Sequence, residues 1–110
     1  MRLKLPKNDA KYEWTNHVFG KMLFYGLTEG RIRRVMASPK RSEEGVAPET
    51  IAVMQPGGSK KNPQEIWVMF QVLKNKKRRI ITAWRYPGIS KARAKIPIPN
   101  EILAELDSII

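Results

Sequence analysis

One side chain in this sequence titrates near neutral pH without help from its surroundings, the single histidine His17. There is no cysteine, which excludes a thiolate nucleophile, a disulfide and a thiolate metal site. One histidine cannot build a His-rich zinc site, so no metal and no other cofactor is expected. Gly57-Gly58-Ser59-Lys60 has the residue types of a phosphate loop but neither its full spacing nor a helix after it. What remains is one candidate base among many cations. Metal-independent cleavage of RNA needs a base for the 2′-OH proton, cations for the charged phosphorane and an acid for the leaving oxygen. His17 supplies a candidate base, the Arg and Lys side chains supply cations, and tyrosines supply candidate acids. The alternative for His17 is plainer. It falls at the second position of a helix, off the apolar stripe, where a side chain bonds the neighbouring loop.

The cations are unevenly placed. The chain carries 21 Lys and Arg against 10 Asp and Glu, a net charge of +11. From Lys74 to Lys95 the basic residues Lys74, Lys76, Lys77, Arg78, Arg79, Arg85, Lys91, Arg93 and Lys95 are interrupted by no acid. A second excess includes Arg31, Arg33, Arg34, Lys40 and Arg41. The acids gather elsewhere, at Glu43, Glu44, Glu49 and Glu65 and in the C-terminal segment at Glu101, Glu105 and Asp107. Such asymmetry is what a binding face for a polyanion produces, so RNA or the ribosome is the expected partner. Lys74, Lys76, Lys77, Arg78 and Arg79, with Arg33 and Arg34, are the candidate contacts. The alternative is a solvated turn whose charge keeps a sheet edge from aggregating. No apolar run approaches the ~20 residues of a membrane span, and the first residues lack the apolar run of a secretory signal. The expectation is a cytoplasmic domain with no membrane partner.

The elements that must hold these residues fit one domain of 110 residues, with 1–11 as a loose N-terminal arm. Thr15 caps a first helix whose stripe is Val18, Phe19, Met22 and Tyr25, and Gly26 stops it. Thr28 caps a second helix with Ile32, Val35 and Met36 on its apolar side, ended by Ser38-Pro39. Alternation at Ile51–Gln55 predicts a strand, 56–63 a loop, and Glu65–Leu73 a central strand. Lys74–Lys77 is a turn with Asn75 suited to the left-handed region, and Arg78–Tyr86 the returning strand. Along that strand Ile80, Thr82, Trp84 and Tyr86 should share one face. The IPIP stretch at 96–99 is extended, and Asn100 opens a helix with Ile102, Leu103, Leu106 and Ile109 inward. The predicted fold is α+β: an N-terminal helical hairpin packed on an antiparallel sheet of three to four strands, with a short C-terminal helix. The second sheet face is expected to be incompletely covered, leaving room for a binding groove.

Several of these residues coincide in a further pattern. Thr15-Asn16-His17 opens the first helix, Met22 follows, and Tyr25-Gly26-Leu27-Thr28 breaks it. Ser38-Pro39 ends the second helix, and Ile80-Ile81-Thr82-Ala83-Trp84 forms the return strand. Over about residues 15–86 this resembles a small bacterial domain family of unknown function in the RelE-like toxin superfamily, which also gathers barnase-like and colicin-type ribonucleases. The resemblance implies a RelE-like fold and either a metal-independent ribonuclease or the toxin of a toxin–antitoxin pair. It matches His17 to the family's helix-one histidine. It also places Thr82, Arg85 and Tyr86 at strand-end positions that often hold active-site groups, so His17, Arg85 and Tyr86 are the candidate catalytic residues. Read from the residues alone, Arg85 is either a phosphate clamp or a solvated strand residue. Two other functions fit the same residues: a non-catalytic nucleic-acid-binding module, and a protein-interaction domain for an acidic, antitoxin-like partner.

Overall fold

The computed structural model of the chain describes residues 4–91 and 94–109. Arg93 of the basic run and the side chains of Asp107 and Ile109 lie outside that description. The elements in chain order are β1 (Tyr12–Trp14), α1 (Asn16–Tyr25), α2 (Glu29–Ala37), β2 (Arg41–Glu44), β3 (Thr50–Gly58), β4 (Pro63–Val72), β5 (Arg78–Pro87) and α3 (Asn100–Ile109). The helix boundaries obey their local signals. The hydroxyl of Thr15 accepts from the Val18 amide, and that of Thr28 from the Arg31 amide. Gly26 closes α1 at φ 66°, a left-handed conformation that only glycine adopts without strain. Val18 and Met22 of α1 and Ile32, Val35 and Met36 of α2 are buried, as their spacing requires.

The strands form one sheet in the order β1-β5-β4-β3-β2. Strands β2 to β5 are an antiparallel meander, while β1 runs parallel to β5, pairing Tyr12 with Arg78 and Trp14 with Ile80. This corrects the predicted fold in two respects. The sheet is mixed and five-stranded, and the first two helices do not form a hairpin laid on it. Instead α1 packs along β5, and α2 packs over β3 and β4. Each helix lays its apolar stripe on the sheet, and the two stripes join one core cluster there. The two unforeseen strands are both edges. β1 has three residues, too few to display an alternation, and β2 reads RSEE, a charged sequence that suits an edge facing solvent. Part of the expected arm is also tied down. The Asn8 side chain accepts from the Trp14 amide at 2.8 Å, and Asp9 accepts from the Lys11 and Tyr12 amides at 2.9 Å.

A bulge in β5 changes which residues share a face. Met69 is opposite Thr82 but Phe70 is opposite Ile80, so Ile81 is an extra residue in the ladder. Ile80 therefore packs with Val68, Phe70 and Ala83 under α1 and α2, not with Trp84 and Tyr86 as strict alternation predicts. Thr15 marks the same spot. Its hydroxyl lies 2.9 Å from the carbonyl of Ile80 and 3.1 Å from that of Ile81, so the residue that caps α1 also pins the bulge.

The second face is covered, contrary to expectation. Ile102 and Leu106 of α3, with Ile96 and Ile98 ahead of it, pack on Ala52, Met54, Trp67, Met69 and Trp84. Trp67 and Trp84 are cross-strand partners with near-parallel rings, 6.0 Å between centroids. Their broad apolar surface gives the IPIP segment and one face of α3 a bed; Leu103, expected inward, is 45% exposed. The segment is fastened at its start. Buried Glu65 accepts from the Trp67 indole at 3.1 Å, the Ser90 hydroxyl at 2.6 Å and the Ser90 amide at 3.2 Å. Arg41 lies over Trp67 at 5.1 Å and donates to the Ser90 hydroxyl at 2.8 Å.

The β3–β4 hairpin is tighter than predicted. β3 and β4 extend into the expected 56–63 loop, leaving only a short turn between Gly58 and Pro63. In the β4–β5 turn the left-handed residue is Lys76, at φ 67°, while Asn75 accepts from the Lys77 amide at 3.0 Å. A left-handed lysine is strained, so Lys76→Gly should raise stability by about 0.5–1 kcal/mol. A higher urea midpoint checks this, and an unchanged or lower one refutes the strain.

Candidate nucleic-acid interface

The β4–β5 turn brings the predicted cations to the end of a groove. Met36, Ala37 and Pro39 at the end of α2 form one wall, and Ala10, Lys11 and Tyr12 form the other. Ile51, Val53 and Phe70 make an apolar floor, and the groove holds about 740 Å³. Lys76 and Arg78 close its end, and the Arg78 guanidinium lies 5.1 Å from the Phe70 ring centroid. Lys74 and Lys77 belong to the same turn. Among the described residues no carboxylate lines the groove. Among the described residues, Lys11, Lys74, Lys76, Lys77 and Arg78 make no ion pair. Glu44 and Glu49 line a neighbouring cavity with Lys74, whereas Lys11, Lys76 and Arg78 line the groove and direct their field into it.

The other predicted contacts are placed differently. Arg79 reaches Glu13 of β1 at 3.4 Å, so part of its charge is answered within the fold. Arg33 is more fully engaged, bonding Asp9 and Glu29 at 2.8 Å each. Its guanidinium also lies 5.3 Å from the Tyr12 ring and 5.5 Å from the Trp14 ring. The hydrogen bond from Arg33 and the two amide bonds hold the Asp9 carboxyl at a pKa of about 2. Arg34, one residue on, makes no ion pair among the described residues.

The three candidate catalytic residues do not converge. His17 lies between β5 and α3, its Nε2 3.1 Å from the Thr82 hydroxyl and 3.3 Å from the Glu105 carboxylate. Tyr86 packs against the second face, on the same side of β5 as Thr82 but about 13 Å along the strand. Arg85 points to the opposite face. It donates to the carbonyl of Tyr25 at 2.6 Å, to that of Gly26 at 3.3 Å and to the Gln64 side chain at 3.1 Å. It thereby satisfies carbonyls that the end of α1 leaves open. None of the three lines the groove. Among the described residues no group of three or more His, Cys, Asp and Glu is placed to hold a metal ion.

His17 has a consequence for stability. Burial lowers its pKa below the usual 6.5, outweighing the opposite pull of Glu105, and Lys21 lowers it further. The unfolded chain therefore binds the proton more readily than the folded one. Stability should be full above about pH 7 and decline as pH falls below about 6.5. His17→Gln should flatten that part of the profile. Parallel urea midpoints for the two proteins between pH 7.5 and 5.5 would show that burial does not govern this group.

Two contributors escaped the sequence reading. Lys11 lies in the expected arm, and only its place beside the turn, where its carbonyl accepts from the Arg78 amide at 2.9 Å, brings it to the groove. Phe70 sits in a strand apolar on both sides, with no local signal to say which aromatic would floor a groove. Comparison of the chain with protein-family models, with curated proteins and with solved structures finds no match.

Proposed function

We propose that this domain is a non-catalytic module that binds single-stranded RNA through the groove at the β4–β5 turn. The observation that carries the reading is the set of cations without an ion pair, Lys11, Lys76 and Arg78 lining the groove with Lys74 and Lys77 in the same turn, where among the described residues no carboxylate lines the walls. Cations attract the phosphates of a backbone that tracks the groove, and a single strand is flexible enough to follow it. The scatter of His17, Arg85 and Tyr86 over two faces of the sheet favours binding over turnover. Among the described residues no helix is long and apolar enough to cross a membrane.

The test is binding of a labelled single-stranded RNA across a tenfold range of salt, with the RNA recovered afterwards. Log affinity should fall linearly with log salt, by about 0.7 for each phosphate contacted, and the RNA should be intact. An affinity indifferent to salt refutes phosphate contact. Cleavage without added metal refutes the non-catalytic reading and returns the question to His17.

A further inference from the structure

A second group of cations lies at the opposite end of the sheet, under the junction of α1 and α2. Arg31 donates to the Gln55 side chain and to the carbonyl of Pro56, each at 2.8 Å. Its guanidinium rests on Gly57, where a Cβ would come within 3.3 Å of it. Gly57 is directly opposite Gln64 on β4, and the Gln64 side chain accepts from Arg85 at 3.1 Å. Opposed residues share a face, and neighbouring strands are about 4.8 Å apart. Arg31, anchored on β3, and Arg85, anchored on β5 and reaching Gln64 of β4, thus lie near each other on the surface that faces the helices.

Both are held by neutral acceptors. Gln side chains and main-chain carbonyls take two hydrogen bonds from Arg31 and three from Arg85, leaving other N–H groups of each fork unused. Among the described residues no carboxylate pairs with Arg31, Arg34 or Arg85. Burial and the nearness of Arg34 and Arg85 lower the pKa of Arg31, the signature of cations packed together without an anion. An arrangement of this kind is unfavourable when empty and favourable once an anion neutralises it. Two rigid forks converging on one place suit the several oxygens of a phosphate better than a single carboxylate.

We propose that Arg31 and Arg85, with Arg34 beside them, form a binding site for a phosphate group, separate from the groove. From Gln64 to Phe70 along β4 the two places are roughly 20 Å apart. The site does not depend on the RNA reading, because its ligand chemistry is the phosphate alone.

The test is a titration of the ¹⁵N-labelled protein with inorganic phosphate against chloride at equal ionic strength. Phosphate should shift the amides of Gly26, Gly57 and Gln64 saturably, and chloride should not. Arg31→Gln should weaken phosphate binding about tenfold or more, while Lys76→Gln/Arg78→Gln in the groove should leave it unchanged. Gly57→Ala is the second variant: it keeps every charge and sets a methyl 3.3 Å from both the Arg31 guanidinium and the Ile66 side chain, so an unfolding curve accompanies it; it too should weaken binding. In the groove-deficient protein, trinucleotides with and without a 5′-phosphate distinguish a terminal monoester from a backbone diester as the source. Equal shifts with chloride, or wild-type affinity in both Arg31→Gln and Gly57→Ala, would overturn the proposal whatever the RNA assay gives.

Discussion

The variant Lys76→Gln/Lys77→Gln/Arg78→Gln should bind single-stranded RNA about 100-fold more weakly than the wild type at 0.1 M salt. Each single-strand phosphate contact contributes about 0.7 to the slope of log affinity against log salt. Three contacts removed should make the slope shallower by about 2, and a tenfold dilution from 1 M salt converts that into two decades of affinity. The fold should survive. Lys76 is exposed in a turn, Lys77 packs in no apolar cluster, and Arg78 covers Phe70 from outside. Close like charges repel, so the variant should be at least as stable as the parent at low salt. Unfolding curves of both proteins would establish that the loss belongs to the interface. A triple variant that keeps the parental slope would mean that the run is a solvated turn and that the groove is not where phosphates bind.

Trp67→Ala should be the most damaging single substitution on the second face. Trp67 is fully buried, stacked on Trp84, overlaid by Arg41 and bonded to Glu65. Removing a buried tryptophan side chain costs about 3–5 kcal/mol through lost burial and the cavity left behind. A domain of this size has roughly 5–15 kcal/mol in all, so the melting temperature should fall by about 15 °C or more. Trp67→Phe keeps a ring against Trp84, leaves a smaller cavity than alanine and withdraws the indole donor from Glu65, which retains both bonds from Ser90; its effect should be clearly smaller. If Trp67→Ala shifts the urea midpoint no more than Trp67→Phe does, the aromatic pair does not hold this face together.

What could be read from residue order depended on the range of the interaction. Caps are local, and Thr15, Gly26 and Thr28 are where their types place them. The strands β3, β4 and β5 have enough residues for a pattern to show. β1 and β2 do not: a parallel edge of three residues gains its partner only from the far end of the chain, and RSEE looks like loop until a neighbour pairs with it. The bulge at Ile81 is invisible to alternation because it is a mismatch between two strands, not a feature of one. The same holds for the candidate sites. The basic run Lys74–Arg79 is contiguous and was legible, whereas Arg31 and Arg85 become a pair only because Gly57 and Gln64 are opposite each other.

The hydrogen bond from Thr15 to the carbonyl of Ile81 joins residues 66 positions apart. On a ribosome that distance is time. At about 5–20 residues per second, roughly 3–13 s separate the emergence of Thr15 from that of its acceptor. Through that interval β1 has no strand to pair with, and the Val18–Met22 stripe of α1 has no β5 to lie on. Pairings so distant in sequence also make for slow closure once the chain is complete. Until β5 arrives, the Val18–Met22 stripe is an exposed apolar surface of the kind a holding chaperone binds, and pairing with that strand would release it.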